Sequence, residues 1–134
     1  MNFNTLLSIF SVIAMGDGIV AILAPGQFMN LIWLNRTGPE GYLFVQGWGA
    51  CLIAISVMAW AAKSLTDSTS RRLFALGLFT YHLIATILWL EDALSRSWTP
   101  FSAATFVGLV LFTLGFGYFR FVNLGSQVWS RGTT

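Results

Sequence analysis

Apolar residues recur along the chain in four runs, which short segments rich in Gly, Pro and charged residues separate. A run of about 20 apolar residues is long enough to cross the hydrocarbon core of a bilayer as an α-helix. We therefore predict four transmembrane helices, at residues 4–24, 42–62, 72–90 and 101–122. The predicted fold class is all-α, an integral membrane four-helix bundle with short loops, formed as one transmembrane domain over residues 1–134.

The segment between the first two predicted helices, residues 25–41, carries several Gly and Pro residues. Within it, Phe28–Leu34 is apolar but too short to cross a bilayer. A short amphipathic stretch of this kind is typical of a segment that lies along the membrane interface. We expect this segment to lie there.

Composition supports a membrane protein, since 56% of the residues are hydrophobic and 9% are charged, whereas soluble domains carry about 25% charged residues.

The single cysteine, Cys51, excludes an internal disulfide. The N-terminal run lacks Lys and Arg and contains Asp17, so we expect no removable signal peptide. The few basic residues are scattered rather than arranged in a stripe, and we predict no nucleic-acid partner.

Basic residues are distributed unequally between the two sides that four crossings would create. One side would hold both termini and five basic residues, and the other would hold Arg36 and Arg96. Because Lys and Arg accumulate in cytoplasmic segments, this asymmetry predicts that both termini are cytoplasmic. The five residues on the first side are Lys63, Arg71, Arg72, Arg120 and Arg131.

Small residues recur at helical spacing within three of the predicted helices. Lipid tails provide no hydrophobic drive for helix association, so close backbone approach at small residues stabilises helix pairs. We therefore predict that these stripes face the bundle interior. They are Ala14, Asp17, Ala21 and Ala24 in the first helix, Gly47, Ala50, Ala54 and Ala61 in the second, and Ala104, Gly108 and Gly115 in the fourth.

Asp17 is the most unusual residue of the apolar runs, because an ionised carboxylate inside a bilayer costs about 2.5–3.5 kcal/mol on insertion scales. One interpretation is a hydrogen-bonded brace between helices. The other is a group that handles a ligand or a proton. Counting from the predicted helix ends places Asp17 at a similar depth to Gln46, His82 and Thr105, which predicts a shared polar pocket open to the outer side.

His82 is the single histidine of the chain, and one histidine cannot form a zinc site alone. We expect a neutral ring that shares a hydrogen bond with Asp17 or with a carbonyl. The alternative is an axial ligand to the iron of a haem or to the magnesium of a chlorophyll-type pigment. The sequence predicts no other metal ligand.

Aromatic residues are abundant in the third and fourth predicted helices. Rings gain about 0.5–1.5 kcal/mol per aromatic pair beyond their area burial, so this surface could bind a partner helix, a carotenoid, a quinone or a chlorophyll-like pigment. Lipid contact is the alternative. The residues of this predicted docking surface are Phe79, Trp89, Phe106, Phe112, Phe116 and Phe119.

Sequence signatures of hydrolases, metalloproteases and dithiol redox enzymes are lacking in the chain. Glu91 and Asp92 form a carboxylate pair, but they fall at a predicted helix end, where solvated charge is inexpensive. We therefore expect a protein that is not an enzyme.

The layout resembles a broad group of small bacterial four-helix membrane proteins of unknown function. The resemblance rests on Pro25 after the first helix, on Phe28–Leu34, on the motif Gly47–Ala50, on Arg71-Arg72 at a helix start and on Tyr81-His82. The layout is also similar to the scaffold protein of ergosterol biosynthesis, which tethers other membrane enzymes. The resemblance implies a bacterial cytoplasmic membrane and a scaffold role, and it assigns no catalytic or binding residue.

The sequence thus favours an accessory or scaffold subunit of a larger membrane complex, with the lipid bilayer and other membrane subunits as its partners. The alternative is a small carrier or ligand-binding membrane protein that works through Asp17 and His82.

Reporter fusions test the predicted topology. A fusion at Thr134 should report a cytoplasmic location, and a fusion within residues 38–41 should report the opposite side. The reason is that more of the Lys and Arg residues lie on the side of the termini. A Thr134 fusion that reports outside, with the loop fusion inside, would show that the orientation is reversed.

Overall fold

The structure, a computed structural model, describes residues 2–32, 39–95 and 100–123. All regular structure in these ranges is helical. A single 3₁₀ turn, Ala62–Ser64, and a π-helical segment, Phe119–Asn123, follow the third and fifth helices. The five α-helices are α1 (Phe3–Leu23), α2 (Pro25–Ile32), α3 (Pro39–Ala61), α4 (Ser68–Ser95) and α5 (Pro100–Tyr118).

Four of the helical stretches are long and apolar enough to cross a membrane: Phe3–Leu23, Gly41–Ser64, Ser68–Glu91 and Pro100–Val122. The predicted all-α class and the four long apolar helices are therefore confirmed, and α2 is an additional fifth helix. Many apolar side chains are exposed, among them Leu23, Leu43 and Leu94, which is consistent with lipid contact. Length and apolar composition together indicate a membrane protein.

All three prolines of the chain occupy the first position of a helix. Proline is favoured there because its missing N–H would have no partner within the helix and its φ angle is already helical. Pro100 begins α5 one residue before the predicted bound at residue 101. Pro25 has a second effect, since it separates α1 from α2 at Ala24, whose N–H bonds to the Val20 carbonyl and whose carbonyl accepts from the Phe28 N–H.

Side-chain caps begin the other two long helices. The Asn2 Oδ1 accepts hydrogen bonds from the N–H and the hydroxyl of Thr5, both at 2.8 Å. At α4, the Asp67 Oδ2 accepts from the N–H of Ser70 at 2.6 Å. This bond holds the pKa of the exposed Asp67 carboxyl below its usual value. Such caps satisfy N–H groups that the first helical turn leaves without partners.

Helix bounds differ from prediction mainly at polar residues. Helix α4 begins at Ser68 and ends at Ser95, so the predicted link 63–71 and the predicted link 91–100 are both shorter than expected. Polar residues remain helical there because a membrane helix can extend past the apolar core without losing backbone hydrogen bonds. The predicted interfacial segment is the helix α2, although Trp33 and Leu34 lie outside the described residues, as do Arg36, Arg96 and Arg131.

The chain forms two compact units, Met1–Lys63 and Ser64–Thr134. In the first unit α1 and α3 are antiparallel, because Ser11, Gly18 and Ile22 contact progressively earlier residues of α3. Backbone contact is closest where Gly18 meets Gly49. A Cβ atom on Gly18 would lie 2.7 Å from the Gly49 carbonyl oxygen, and one on Gly49 would lie 2.8 Å from the Gly18 carbonyl oxygen.

Polar bonds reinforce this contact at two other levels. The Ser56 hydroxyl donates to the Ser11 carbonyl at 2.8 Å, and the Gln46 side-chain amide donates to the Ile22 carbonyl at 3.2 Å. Side-chain hydrogen bonds between membrane helices contribute about 0.6 kcal/mol each on average. They therefore fix helix rotation more than they supply stability.

The predicted small-residue stripe of α3 does not face α1. Gly47, Ala50, Ala54 and Ala61 are exposed, whereas Gly49 is buried. Each residue turns the helix by about 100°, so choosing Gly47 and Ala50 instead of Gly49 selects a different face. In α1, Ala14 and Ala21 are buried as predicted, while Asp17 and Ala24 lie at the edge of the buried face. In α5, Ala104 is exposed and Gly108 has open space beside it.

The second unit pairs α4 with α5, also antiparallel. A Cβ atom on Gly117 would lie 3.1 Å from the Phe79 ring. The Phe79 ring also meets the Phe121 ring edge-on, with 5.5 Å between the centroids. Further along α4, His82 faces Phe116. The predicted single four-helix bundle remains a prediction.

Alanine substitutions test the glycine contact of the first unit. Gly18→Ala and Gly49→Ala should destabilise the protein by about 1–3 kcal/mol, because the added methyl has no room between the backbones. The matched controls Gly16→Ala and Gly47→Ala add a methyl in open space and should be neutral or slightly stabilising, by up to about 1 kcal/mol. Unfolding in mixed detergent measures the difference, and equal losses in all four variants would contradict the assigned contact.

Candidate functional site

Asp17 lies on α1 between Gly16 and Gly18, about 9 Å along the helix from Leu23. Its side chain is half-buried. Among the described residues, its carboxylate makes no hydrogen bond or ion pair. Gly16, its neighbour, is exposed and has open space beside it. Asp17 is therefore a carboxylate inside an apolar helix that its own unit leaves unsatisfied.

Gln46 has a different role from the one predicted. Its amide donates to the Ile22 carbonyl, which is one of the last four carbonyls of α1 and therefore has no N–H donor within that helix. Ile22 is about 7.5 Å along α1 from Asp17. Gln46 therefore caps the end of α1, and the structure does not join it to Asp17 by a hydrogen bond.

His82 is a core residue of the second unit, with 2% of its surface exposed. Its Nδ1 lies 2.7 Å from the Leu78 carbonyl oxygen. Because a carbonyl oxygen only accepts, Nδ1 carries the proton in this bond. This agrees with the expected hydrogen bond to a carbonyl. The same bond fixes the ring orientation.

Aromatic rings surround the imidazole. The centroids of Phe112 and Phe116 lie 5.4 Å from that of His82, and the Tyr81 ring meets it edge-on at 5.1 Å. An axial ligand must present a ring nitrogen to a flat macrocycle several times wider than the imidazole. The buried position of His82 leaves no surface for such a group, so this conformation does not favour haem or pigment ligation.

Two threonines that the sequence reading missed complete the surroundings of His82. The Thr86 hydroxyl donates to the His82 carbonyl at 2.7 Å, and the Thr113 hydroxyl donates to the Leu109 carbonyl at 2.8 Å. The two hydroxyl oxygens are 3.2 Å apart. Each hydroxyl has one hydrogen, so a bond between them competes with a bond to the helix backbone. The spacing of four residues from His82 to Thr86 was a signal for this contact.

Thr105 does not join His82 in a pocket. Its hydroxyl donates to the Phe101 carbonyl at 3.0 Å, and it lies seven residues, or about 10 Å, from Phe112. Thr105 and His82 were predicted to lie at a similar depth because the third helix was taken to end at residue 90. Because α4 continues to Ser95, the residue of α5 at the level of His82 is Phe116 instead.

The predicted aromatic docking surface is partly buried. Phe116 is 0% exposed and Phe119 is 3% exposed, so both are core residues of the chain. Phe79, Trp89, Phe106 and Phe112 are intermediate in exposure. These four rings are the part of the predicted surface that a partner could reach.

Metal binding has no support from the described residues, where no group of three or more His, Cys, Asp or Glu side chains comes together. Cys51 is exposed on α3. Asp17 and His82 belong to different units, and their predicted pairing remains a prediction.

No protein-family model, curated protein or solved structure matches the chain. The resemblance to small bacterial four-helix membrane proteins and to the ergosterol-biosynthesis scaffold therefore also remains a prediction. The arrangement itself offers two kinds of polar group within apolar helices: a buried, fully packed histidine and a half-buried, unsatisfied carboxylate. The first suits a structural brace, and the second suits contact with a group outside the unit.

A double-mutant cycle tests the predicted pairing. If Asp17 and His82 share a hydrogen bond, Asp17→Asn and His82→Gln should show an interaction energy of about 0.6–1.7 kcal/mol when combined. If His82 acts only through Leu78, the two losses should add. The free energy of unfolding is measured for both single variants and for the double variant in the same bilayer mimetic. If the losses of the two single variants add up to the loss of the double variant, the pairing hypothesis is wrong.

Proposed function

We propose that this protein is a non-enzymatic accessory or scaffold subunit of a larger membrane complex. The observation that carries the proposal is the Asp17 carboxylate, which is half-buried within an apolar helix and lacks a hydrogen-bond donor within the described part of its unit. Ionisable groups at membrane depth are paired or line a polar cavity in most membrane proteins. A donor on a neighbouring subunit would satisfy this one.

Small residues beside the carboxylate favour a protein partner. Gly16 is exposed on α1, and Gly47, Ala50 and Ala54 are exposed on α3. Because Gly18 contacts Gly49, Ala50 lies at nearly the depth of Asp17. Exposed small residues permit close approach of another helix, which brings the backbone dipoles and side-chain donors of that helix within bonding distance.

The partner helix should present an arginine, a lysine or a hydroxyl near the depth of Asp17. A hydrogen bond to a charged group contributes about 1.5–3 kcal/mol, which is enough to decide which helix docks. The half-exposed rings Phe79, Trp89, Phe106 and Phe112 are a second contact surface in this proposal, for a partner helix or for a flat apolar cofactor such as a carotenoid, quinone or chlorophyll-type pigment. The setting we propose is the bacterial cytoplasmic membrane, with both termini in the cytoplasm.

The same carboxylate supports a second candidate function, a small carrier or ligand-binding membrane protein. In that case a cationic or proton-donating ligand, rather than a subunit, would reach Asp17 through the open space beside Gly16. The two candidates differ in what the isolated protein can do. A carrier works alone in liposomes, whereas a scaffold works through its complex.

Co-purification from native membranes in mild detergent tests the proposal. The parent protein should retain a partner at a fixed stoichiometry, and Asp17→Leu should reduce that retention roughly tenfold or more, because the charged hydrogen bond is lost. Glu91→Gln is the matched control, since it removes one carboxylate from an exposed position on α4 and should leave retention unchanged.

An absorption spectrum of the purified complex determines whether a pigment accompanies the partner. Helical circular dichroism must be equal in all variants for the comparison to count. A parent protein that carries no stoichiometric partner, and that moves a solute across liposomes with Asp17 required, would replace the accessory role with the carrier role.

A further inference from the structure

Two arginines lie at the same end of the second unit. Arg72 is in α4, four residues after Ser68, and Arg120 is in the π-helical segment that follows α5. Because α4 and α5 are antiparallel and Phe79 contacts Phe121, the start of α4 and the end of α5 are on the same side of the unit. Both arginines are within about 6 Å of the ends of their apolar spans along the helix axis.

The Nε atoms of both arginines are shielded from solvent and lack a hydrogen-bond partner among the described residues. A guanidinium group is always charged and carries five N–H donors, and a buried donor without an acceptor is costly. A bound ion is one explanation for such groups in native structures. Two of them at one end of a helix pair indicate a site for an anion.

The carboxylate of Asp67 does not supply that acceptor. Asp67 caps α4 by accepting the Ser70 N–H at 2.6 Å, and among the described residues it makes no ion pair with Arg72 or Arg120. The positive charge at this end of the unit is therefore not neutralised by Asp67.

The surroundings of Arg120 are apolar. Its guanidinium carbon lies 5.4 Å from the centroid of the Phe121 ring, and Phe121 and Val122 are 59% and 57% exposed. A ligand for this end would therefore combine a negative group with a hydrocarbon chain. Phospholipids with a net negative charge have that combination, and basic sites between transmembrane helices at the cytoplasmic side bind their headgroups.

We propose that Arg72 and Arg120 bind the phosphate of an anionic phospholipid, whose acyl chains extend from this end of the unit toward the middle of the bilayer. Arginine suits this role because its planar fork can donate two parallel hydrogen bonds to phosphate oxygens. The site is independent of the proposed docking at Asp17, which lies in the other unit. It would select anionic over zwitterionic lipid at one membrane leaflet.

Native mass spectrometry of the full-length protein tests this site, with phosphatidylglycerol or phosphatidylcholine added to the same detergent. The parent should retain phosphatidylglycerol in preference to phosphatidylcholine. Arg72→Gln and Arg120→Gln should each weaken phosphatidylglycerol retention about fivefold, the effect of one basic residue near an anionic surface. Arg96→Gln removes the same charge from the segment after α4 and should have no effect.

Arg72→Lys distinguishes bidentate hydrogen bonding to phosphate from charge attraction alone, because it keeps the positive charge and removes the pair of parallel N–H donors. This variant should also weaken phosphatidylglycerol retention. Thermal unfolding of the parent, which requires no variant to fold, should shift upward with phosphatidylglycerol but not with phosphatidylcholine or inorganic phosphate.

Equal retention of the two lipids by the parent would overturn the proposal, and so would an equal loss in Arg96→Gln. Stabilisation by inorganic phosphate to the same degree as by phosphatidylglycerol would assign the site to a soluble anion instead of a lipid.

Discussion

Backbone hydrogen bonding constrains this chain more than any other interaction. In an apolar medium an unpaired N–H or carbonyl costs several kcal/mol, so segments that cross a bilayer must satisfy those groups internally. The four long helices meet this requirement, and their polar side chains follow the same rule. Thr86, Thr105 and Thr113 donate to carbonyls four residues earlier in their own helices. The polar bonds that join α1 to α3, from Ser56 and Gln46, also end on backbone carbonyls.

Against that background, Asp17 is distinct from the other polar residues of the apolar helices. A threonine hydroxyl can donate to its own helix, whereas an ionised carboxylate only accepts, and the backbone N–H groups in the middle of a helix are already used. A carboxylate in such a place therefore requires a donor from elsewhere or a proton of its own. This chemical difference is why Asp17, and not His82, carries the proposed function.

The sequence was sufficient to predict helices but not helix rotation. The length of the four apolar runs was enough to predict the four long helices. The residue of α3 that meets α1 could not be chosen from the sequence, because Gly47, Gly49 and Ala50 are all small and only tertiary contact decides which of them meets Gly18. Thr105 was placed near His82 for a related reason, since the added turn of α4 changed which residue of α5 lies at that level. Asp17 and His82 were recognisable from residue type alone, whereas Arg72 and Arg120 became a pair only through the antiparallel arrangement of α4 and α5.

The division into two units affects how the protein would be made. In each unit the packed helices are close neighbours in the sequence, so the loops that must close are short and the contact order is low. Met1–Lys63 is a compact unit by itself, and that hairpin can therefore pack while the rest of the chain is still on the ribosome. Domains generally form as units during synthesis, from the N-terminus onward. The Gly18–Gly49 contact would then be an early event in biogenesis, complete before α4 has been translated.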